Sequence, residues 1–218
     1  MTGAARTAGF ARRSTSKRRG ASRSTSGFAA ATRDLLHRTV LEAVDRSVRA
    51  QGWAATTMAD VAAAAGVSRQ TLYNEFGSRQ ALLEAYLRRE VDCLLVSVEQ
   101  AVRSRAGDAR AALEAAFGIF LELARDEPLI RAIVADAEGG ELVQLLTSLG
   151  RALAVDRVGA LIAEVWPRVS GQDAALLTDA MVRLAISHAL VPVADPGRIA
   201  HEVVRLVGPF VDEAIGRQ

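Results

Sequence analysis

The sequence predicts an all-α protein. From Thr32 to the C-terminus, apolar residues recur three and four apart, the spacing of one helix face, and no stretch shows convincing strand alternation. Ser, Thr and Asp stand ahead of these stretches and Gly or Pro behind them, where helices start and stop. Half of the 218 residues are hydrophobic but only 5% are aromatic, so a core must be built from Ala, Val, Leu and Ile.

The helices are justified in order. Thr32 can cap a first helix whose apolar positions are Leu35, Leu36, Val40, Leu41, Val44 and Val48, with Gly52 ending it. Thr56 and Thr57 start a short helix from Met58 to Ala65, stopped by Gly66. Ser68 caps a third, Arg69 to Phe76, stopped by Gly77. Ser78 caps a long fourth helix to the neighbourhood of Arg105, with Leu82, Leu83, Tyr86, Leu87, Val91, Leu94, Leu95 and Val98 on its apolar face. Gly107–Asp108 opens a fifth, ending near Arg125, and Pro128 suits the first turn of a sixth that ends before Gly139. A seventh runs from near Glu141 to Trp166, an eighth from near Asp173 to Val191, and a ninth from Asp195–Pro196 to near Ile215. Pro209 falls inside the ninth and is expected to kink it. The pattern is about nine helices: a small three-helix head and a larger helical body.

Composition excludes several classes. A single cysteine, Cys93, rules out a disulfide framework and a cysteine-based zinc site. It sits between apolar neighbours on the fourth helix and is expected to be a buried, inert thiol. There is no apolar run long enough for a membrane span and no secretory h-region, so the expected location is cytoplasmic. His37, His188 and His201 have no ligand spacing, and no phosphate loop, nucleophile elbow or HExxH motif occurs; neither enzyme activity nor a cofactor or metal is expected.

Charge is unevenly placed. Residues 1–28 hold Arg6, Arg12, Arg13, Lys17, Arg18, Arg19 and Arg23 and no acid, so the remainder is net acidic although the chain totals +2. Lys17 is the sole lysine, and Arg is the residue whose fork binds phosphate in bidentate fashion. The segment 1–31 is rich in Ser, Thr, Gly and Ala and is expected to be a disordered arm, because it buries too little to offset ordering entropy. It serves either as a leader or as an arm that adds phosphate contacts.

The informative stretch is Thr56–Leu83, TTMADVAAAAGVSRQTLYNEFGSRQALL. Two short helices joined at Ala65-Gly66-Val67 read as a helix-turn-helix. Ala62 is small where the helices cross, Gly66 suits a turn conformation costly for other residues, and Val61, Val67, Leu72 and Phe76 face inward. Arg69, Gln70, Thr71, Tyr73 and Asn74 are left as a polar surface suited to bases and phosphates.

With Thr57, Gly66-Val67-Ser68, Thr71-Leu72-Tyr73, Phe76, Arg79 and Leu82 in place, residues 33–85 closely resemble the DNA-binding head of TetR-family (tetracycline-repressor-type) transcriptional regulators. Arg79-Gln80 stands where the family commonly has Lys-Glu, and Asn74-Glu75 where it often has His-Tyr. The resemblance implies base-edge or sugar contacts from Gln70, Thr71 and Tyr73. It implies phosphate contacts from Thr57, Ser68, Tyr73, Asn74 and Arg79, with Arg69 on the same surface. Residues 32–80 are then the DNA-binding domain, and residues 81–218 the ligand-binding and dimerisation domain.

In the eighth helix Leu177, Met181, Leu184, His188 and Val191 form one stripe, and in the ninth Ile199, Val203, Leu206 and Phe210 form another. Both are expected to bury against a second copy. The family resemblance implies a homodimer on operator DNA and a small-molecule pocket in the body. Candidates for its lining are Phe117, Phe120, Leu121, Leu145, Leu149, Leu153, Trp166, Met181, Ala185 and His188, with His188 and Arg183 as partners for a carboxylate head. The sparse polar residues suggest an apolar or acyl-chain effector that releases a repressor from DNA. A ligand-independent regulator, or a helical carrier with a vestigial head, are the alternatives.

Overall fold

The computed structural model describes residues 19–127, 130, 140–191 and 194–216. They form eight helices and, among the described residues, no strand: α1 (Arg19–Ala55), α2 (Met58–Ala65), α3 (Arg69–Phe76), α4 (Arg79–Arg103), α5 (Ala109–Asp126), α6 (Gly140–Val165), α7 (Gly171–Leu190) and α8 (Pro196–Gly216). Apart from Ile130, the expected sixth helix lies outside the described residues. Among the described residues no helix is long and apolar enough to cross a membrane.

The chain forms two compact units, one ending at Thr39 and one beginning at Val40. Within the first, α1 corrects two expectations. It starts at Arg19, so the Arg-rich segment is helical from there rather than a disordered arm; residues 1–18 lie outside the described residues. Thr32 is therefore an interior residue, not a cap, and its hydroxyl donates to the Phe28 carbonyl at 2.9 Å. The Ala29-Ala30-Ala31 run propagates an existing helix at little cost, which an argument from missing burial overlooks.

In the second unit, the rest of α1 buries Val40, Leu41, Val44 and Val48. Its helical path is broken at Gly52 (φ 77°, ψ 163°), the residue expected to end it. Met58, Val61 and Ala62 of α2, Leu72 and Phe76 of α3, and Leu82, Leu83 and Tyr86 of α4 complete the apolar interior of the head.

The body packs α4 and α7 against α5 and α6, with α8 against α5. Its core joins Leu113, Phe117 and Leu121 to Ile162, Leu177, Met181 and Val203. Leu177, Met181 and Val203 were expected at a dimer interface but face this core instead. The faces of α7 and α8 turned outward carry Leu176, Val191 and Leu206, the last 74% exposed. A 3.6-residue period gives the stripe but not which neighbour covers it. α8 continues through Pro209, forgoing the backbone bond to the Arg205 carbonyl.

Gly66 adopts the left-handed conformation (φ 69°, ψ 28°), and its N–H closes on the Ala62 and Ala63 carbonyls. A Cβ there would meet open space, so replacing it tests the backbone alone. Gly66→Ala is expected to lower the unfolding free energy by about 1 kcal/mol, measured by denaturant titration, with an unchanged circular dichroism spectrum.

Candidate nucleic-acid interface and internal cavity

The α2–turn–α3 unit is fixed by its caps. The Thr57 hydroxyl accepts from the Asp60 N–H at 3.2 Å, while the Asp60 carboxylate accepts from the Thr57 N–H at 3.0 Å and from its hydroxyl at 2.6 Å. This reciprocal pair satisfies two backbone donors at once, and the bonds from Thr57 hold Asp60 below its ordinary carboxylate range. Ser68 caps α3 by accepting from the Thr71 N–H at 3.0 Å, with the two hydroxyls 2.8 Å apart.

Leu72 and Phe76 point into the head, which leaves the rest of α3 facing outward. Arg69, Gln70 and Asn74 are exposed, Thr71 is half-buried, and Tyr73 is 47% exposed despite its size. Gln70 donates from Nε2 to Asn74 Oδ1 at 2.8 Å, one turn along, which aligns both amides on the same face. Thr57 and Ser68 stand at the two helix starts. Six of the eight DNA-contact residues expected from the sequence lie on α3 or cap it, and Thr57 caps α2.

Arg79 is the exception. Its Nε donates to the Thr56 carbonyl at 3.0 Å and its Nη2 to the Trp53 carbonyl, and its guanidinium lies 4.2 Å from the centre of the Trp53 ring. Two of its three guanidinium nitrogens are engaged at the turn before α2. Its role is to satisfy the carbonyls at the break in α1, and so to hold α2 relative to α4.

A cavity of about 430 Å³ lies in the body between α4, α5, α6 and α7. Phe117, Phe120, Trp166, Met181 and Ala185 line it, as the sequence suggested. Leu121, Leu145, Leu149, Leu153, Arg183 and His188 do not. Leu121 is sealed in the core. Arg183 points outward and donates to Asp179 one turn back at 2.6 Å. His188 sets its ring edge-on to Phe117, 6.0 Å between centres, from outside the cavity. The charged wall is elsewhere: Arg49, Glu90, Asp126 and Glu127, with Ser97 also lining the cavity. Cys93, expected buried and inert, is exposed and on the cavity wall.

The charged wall adjoins a buried junction. Tyr86 is fully buried, and its hydroxyl donates to Asp45 Oδ1 at 2.8 Å and approaches Glu127 Oε1 at 3.4 Å. Burial and the surrounding carboxylates push the phenol far above its ordinary value. Arg49 reaches both Asp45 oxygens from Nε at 3.0 and 2.9 Å. Burial works against the Asp45 anion, yet the bonds from Arg49 and Tyr86 hold it below its ordinary range. In sequence, Asp45 and Arg49 read as an ordinary i,i+4 surface pair, so nothing marked Arg49 as a cavity residue.

Comparison with known proteins agrees with this geometry. Residues 40–86 match the model for bacterial regulatory proteins of the tetR family, and residues 108–209 match a bacterial tetracyclin repressor C-terminal domain. The chain is 34% identical over 189 residues to the HTH-type transcriptional regulator AlkX of Mycobacterium tuberculosis (strain ATCC 25618 / H37Rv), covering 85% of this chain and 89% of that one. The chain belongs to the TetR family of bacterial transcriptional regulators. A crystal structure of the TetR-family repressor AlkX from Dietzia sp. strain DQ12-45-1b, implicated in biodegradation of n-alkanes, superposes with TM-score 0.71 at 30% identity, covering 81% of this chain and 98% of that one. A TetR-family regulator from Pectobacterium atrosepticum shares the fold at 19% identity, covering 86% and 97% of the two chains, with TM-score 0.62.

As a TetR-family member the protein is a DNA-binding transcriptional regulator and not an enzyme; members of the family bind operator DNA, dimerise and take small-molecule effectors. The geometry separates two roles that sequence alone had merged. Tyr73→Ala is expected to leave stability within about 0.5 kcal/mol of wild type while weakening DNA binding. Arg79→Ala is expected to cost about 1–3 kcal/mol, because it removes the donor to the Thr56 carbonyl and the contact with the Trp53 ring, while the Trp53 carbonyl keeps the Thr56 N–H. Thermal unfolding in parallel with an electrophoretic mobility shift distinguishes them; equal stability of the two variants would contradict the assignment for Arg79.

Proposed function

We propose that the protein is a dimeric repressor that an aliphatic-chain effector releases from its operator. The carrying observation is the pairing of an exposed polar helix, α3, held by caps at both helix starts, with an apolar cavity whose wall includes Arg49 of the head's own helix α1. Residues 32–80 act as the DNA-binding domain and residues 81–218 as the effector and dimerisation domain. Gln70, Thr71 and Tyr73 read base edges or sugars, and Thr57, Ser68, Arg69 and Asn74 hold phosphates. A second copy covers the outward faces of α7 and α8 around Leu176, Val191 and Leu206, giving two heads at fixed spacing. Half-sites should lie roughly one helical turn, about 10 bp, apart or somewhat more.

The apolar character of the cavity, with Phe117, Phe120, Trp166 and Met181 on its wall, supports an acyl or similar chain. So does similarity to a repressor whose structure is described as implicated in n-alkane biodegradation. Release follows only if the ligand prefers the non-binding arrangement of the heads. The test is to select bound DNA from a random pool, then titrate release with aliphatic amphiphiles of increasing chain length. A graded response to chain length is expected; release only by a short polar metabolite would overturn the effector class.

The basic segment 1–31 adds phosphate contacts rather than sequence choice. If about three of its basic residues meet phosphates, deleting residues 1–28 should reduce the slope of log K against log salt by roughly 2–3. An unchanged slope would make the segment a leader only.

A further inference from the structure

The cavity has its charged side chains where α4, the end of α5 and helix α1 of the head meet, with Ser97 further along α4. Arg49, Glu90, Asp126 and Glu127 line that end of the cavity. Arg49, a half-exposed side chain at the edge of the cavity, spends its Nε on Asp45, and its two terminal nitrogens donate to no described residue. Glu90 is under-supplied with donors: its Oε1 is buried without a hydrogen bond, the nearest cation being Arg89 Nε at 3.4 Å. Arg49 is close enough for its charge to act on Glu90. The wall therefore holds unused donors on Arg49 beside a carboxylate short of donors.

We infer that this end of the cavity is the seat of the effector's polar terminus, and that the terminus is an uncharged hydroxyl on a long aliphatic chain. The inference rests on the aliphatic-effector reading above. A hydroxyl can accept from an Arg49 terminal N–H and donate to Glu90 at the same time. A carboxylate accepts only, so it could meet Arg49 but not the shortage of donors at Glu90. Burial already pushes Glu90 up, the sign of a place that resists further negative charge. An ammonium can donate to Glu90 but cannot accept from Arg49, whose guanidinium it would face. The hydroxyl also explains coupling: Arg49 holds Asp45, which holds Tyr86, so a ligand bound to Arg49 touches the bonds that join head to body.

The experiment uses Trp166, which lines the cavity; Trp53 in the head is the other tryptophan of the chain. Binding of dodecane, 1-dodecanol, 1-methoxydodecane, dodecanoate and dodecylamine is followed by Trp166 fluorescence in the full-length protein, the Arg49→Met variant and the Glu90→Leu variant. Wild type should bind 1-dodecanol at least about tenfold more tightly than the alkane or the methyl ether. Both variants should lose that preference while still binding the alkane, and thermal unfolding with operator binding verifies that each is folded. If 1-methoxydodecane, which cannot donate, binds wild type as tightly as the alcohol, or if dodecanoate or dodecylamine binds more tightly than it, the hydroxyl is wrong. If the preference persists in both variants, the location is wrong. If no member of the series perturbs Trp166, the aliphatic-effector reading itself fails, and this inference with it.

Discussion

A tyrosine hydroxyl buried without partners would destabilise the fold, and Tyr86 has oxygens within reach on both sides of the head–body junction. Its closer acceptor, Asp45, belongs to α1 of the head, while Glu127 follows α5 of the body. Asp45 in turn stays ionised inside the junction because Arg49 and Tyr86 both donate to it. The direction that α4 takes out of the head, and with it the placement of the cavity, depends on this small set of bonds. A buried polar network of this kind holds one arrangement well, and it also gives a ligand a place to bias two arrangements.

The energetics of such a bias are modest. A hundredfold change in DNA affinity corresponds to about 2.7 kcal/mol of coupling, inside the range found for allosteric proteins. Burying a few CH₂ groups at about 0.8 kcal/mol each supplies more than that in gross binding energy. What matters is how much of it is available in only one state. A cavity bounded by Arg49 on a helix of the head, and by Leu113, Phe117 and Met181 from the body's core, is placed so that its contents contact both parts.

The head shows a division of labour between holding and reading. Thr57, Asp60, Ser68 and Gly66 set where α2 and α3 begin and end, and Arg79 with Trp53 braces the turn that precedes them. Asp60 and Arg79 spend their polar groups on the protein itself, while the capping hydroxyls of Thr57 and Ser68 remain exposed at the helix starts. Arg69, Gln70, Tyr73 and Asn74 keep theirs on the surface. Two of the positions through which the family resemblance is recognised, Arg79 and Gly66, therefore serve geometry.

The all-α fold, the turn at Gly66, the caps at Thr57, Ser68, Ser78 and Asp108, and the outward residues of α3 were legible in the sequence, because each depends on residues within one or two helical turns. The start of α1 was misread for the same reason: a local cap signal at Thr32 was outweighed by a helix already running from Arg19. Which side of a stripe meets which neighbour was not legible. Leu177, Met181 and Val203 looked like interface residues and are core; Arg183 and His188 looked like ligand partners, and one is on the surface and the other behind Phe117. Arg49 and Glu90, forty-one residues apart, share a cavity wall. Helix period and capping are properties of neighbouring residues along the chain, whereas a cavity and its polar end are made by helices distant in sequence, so only the tertiary packing decided them.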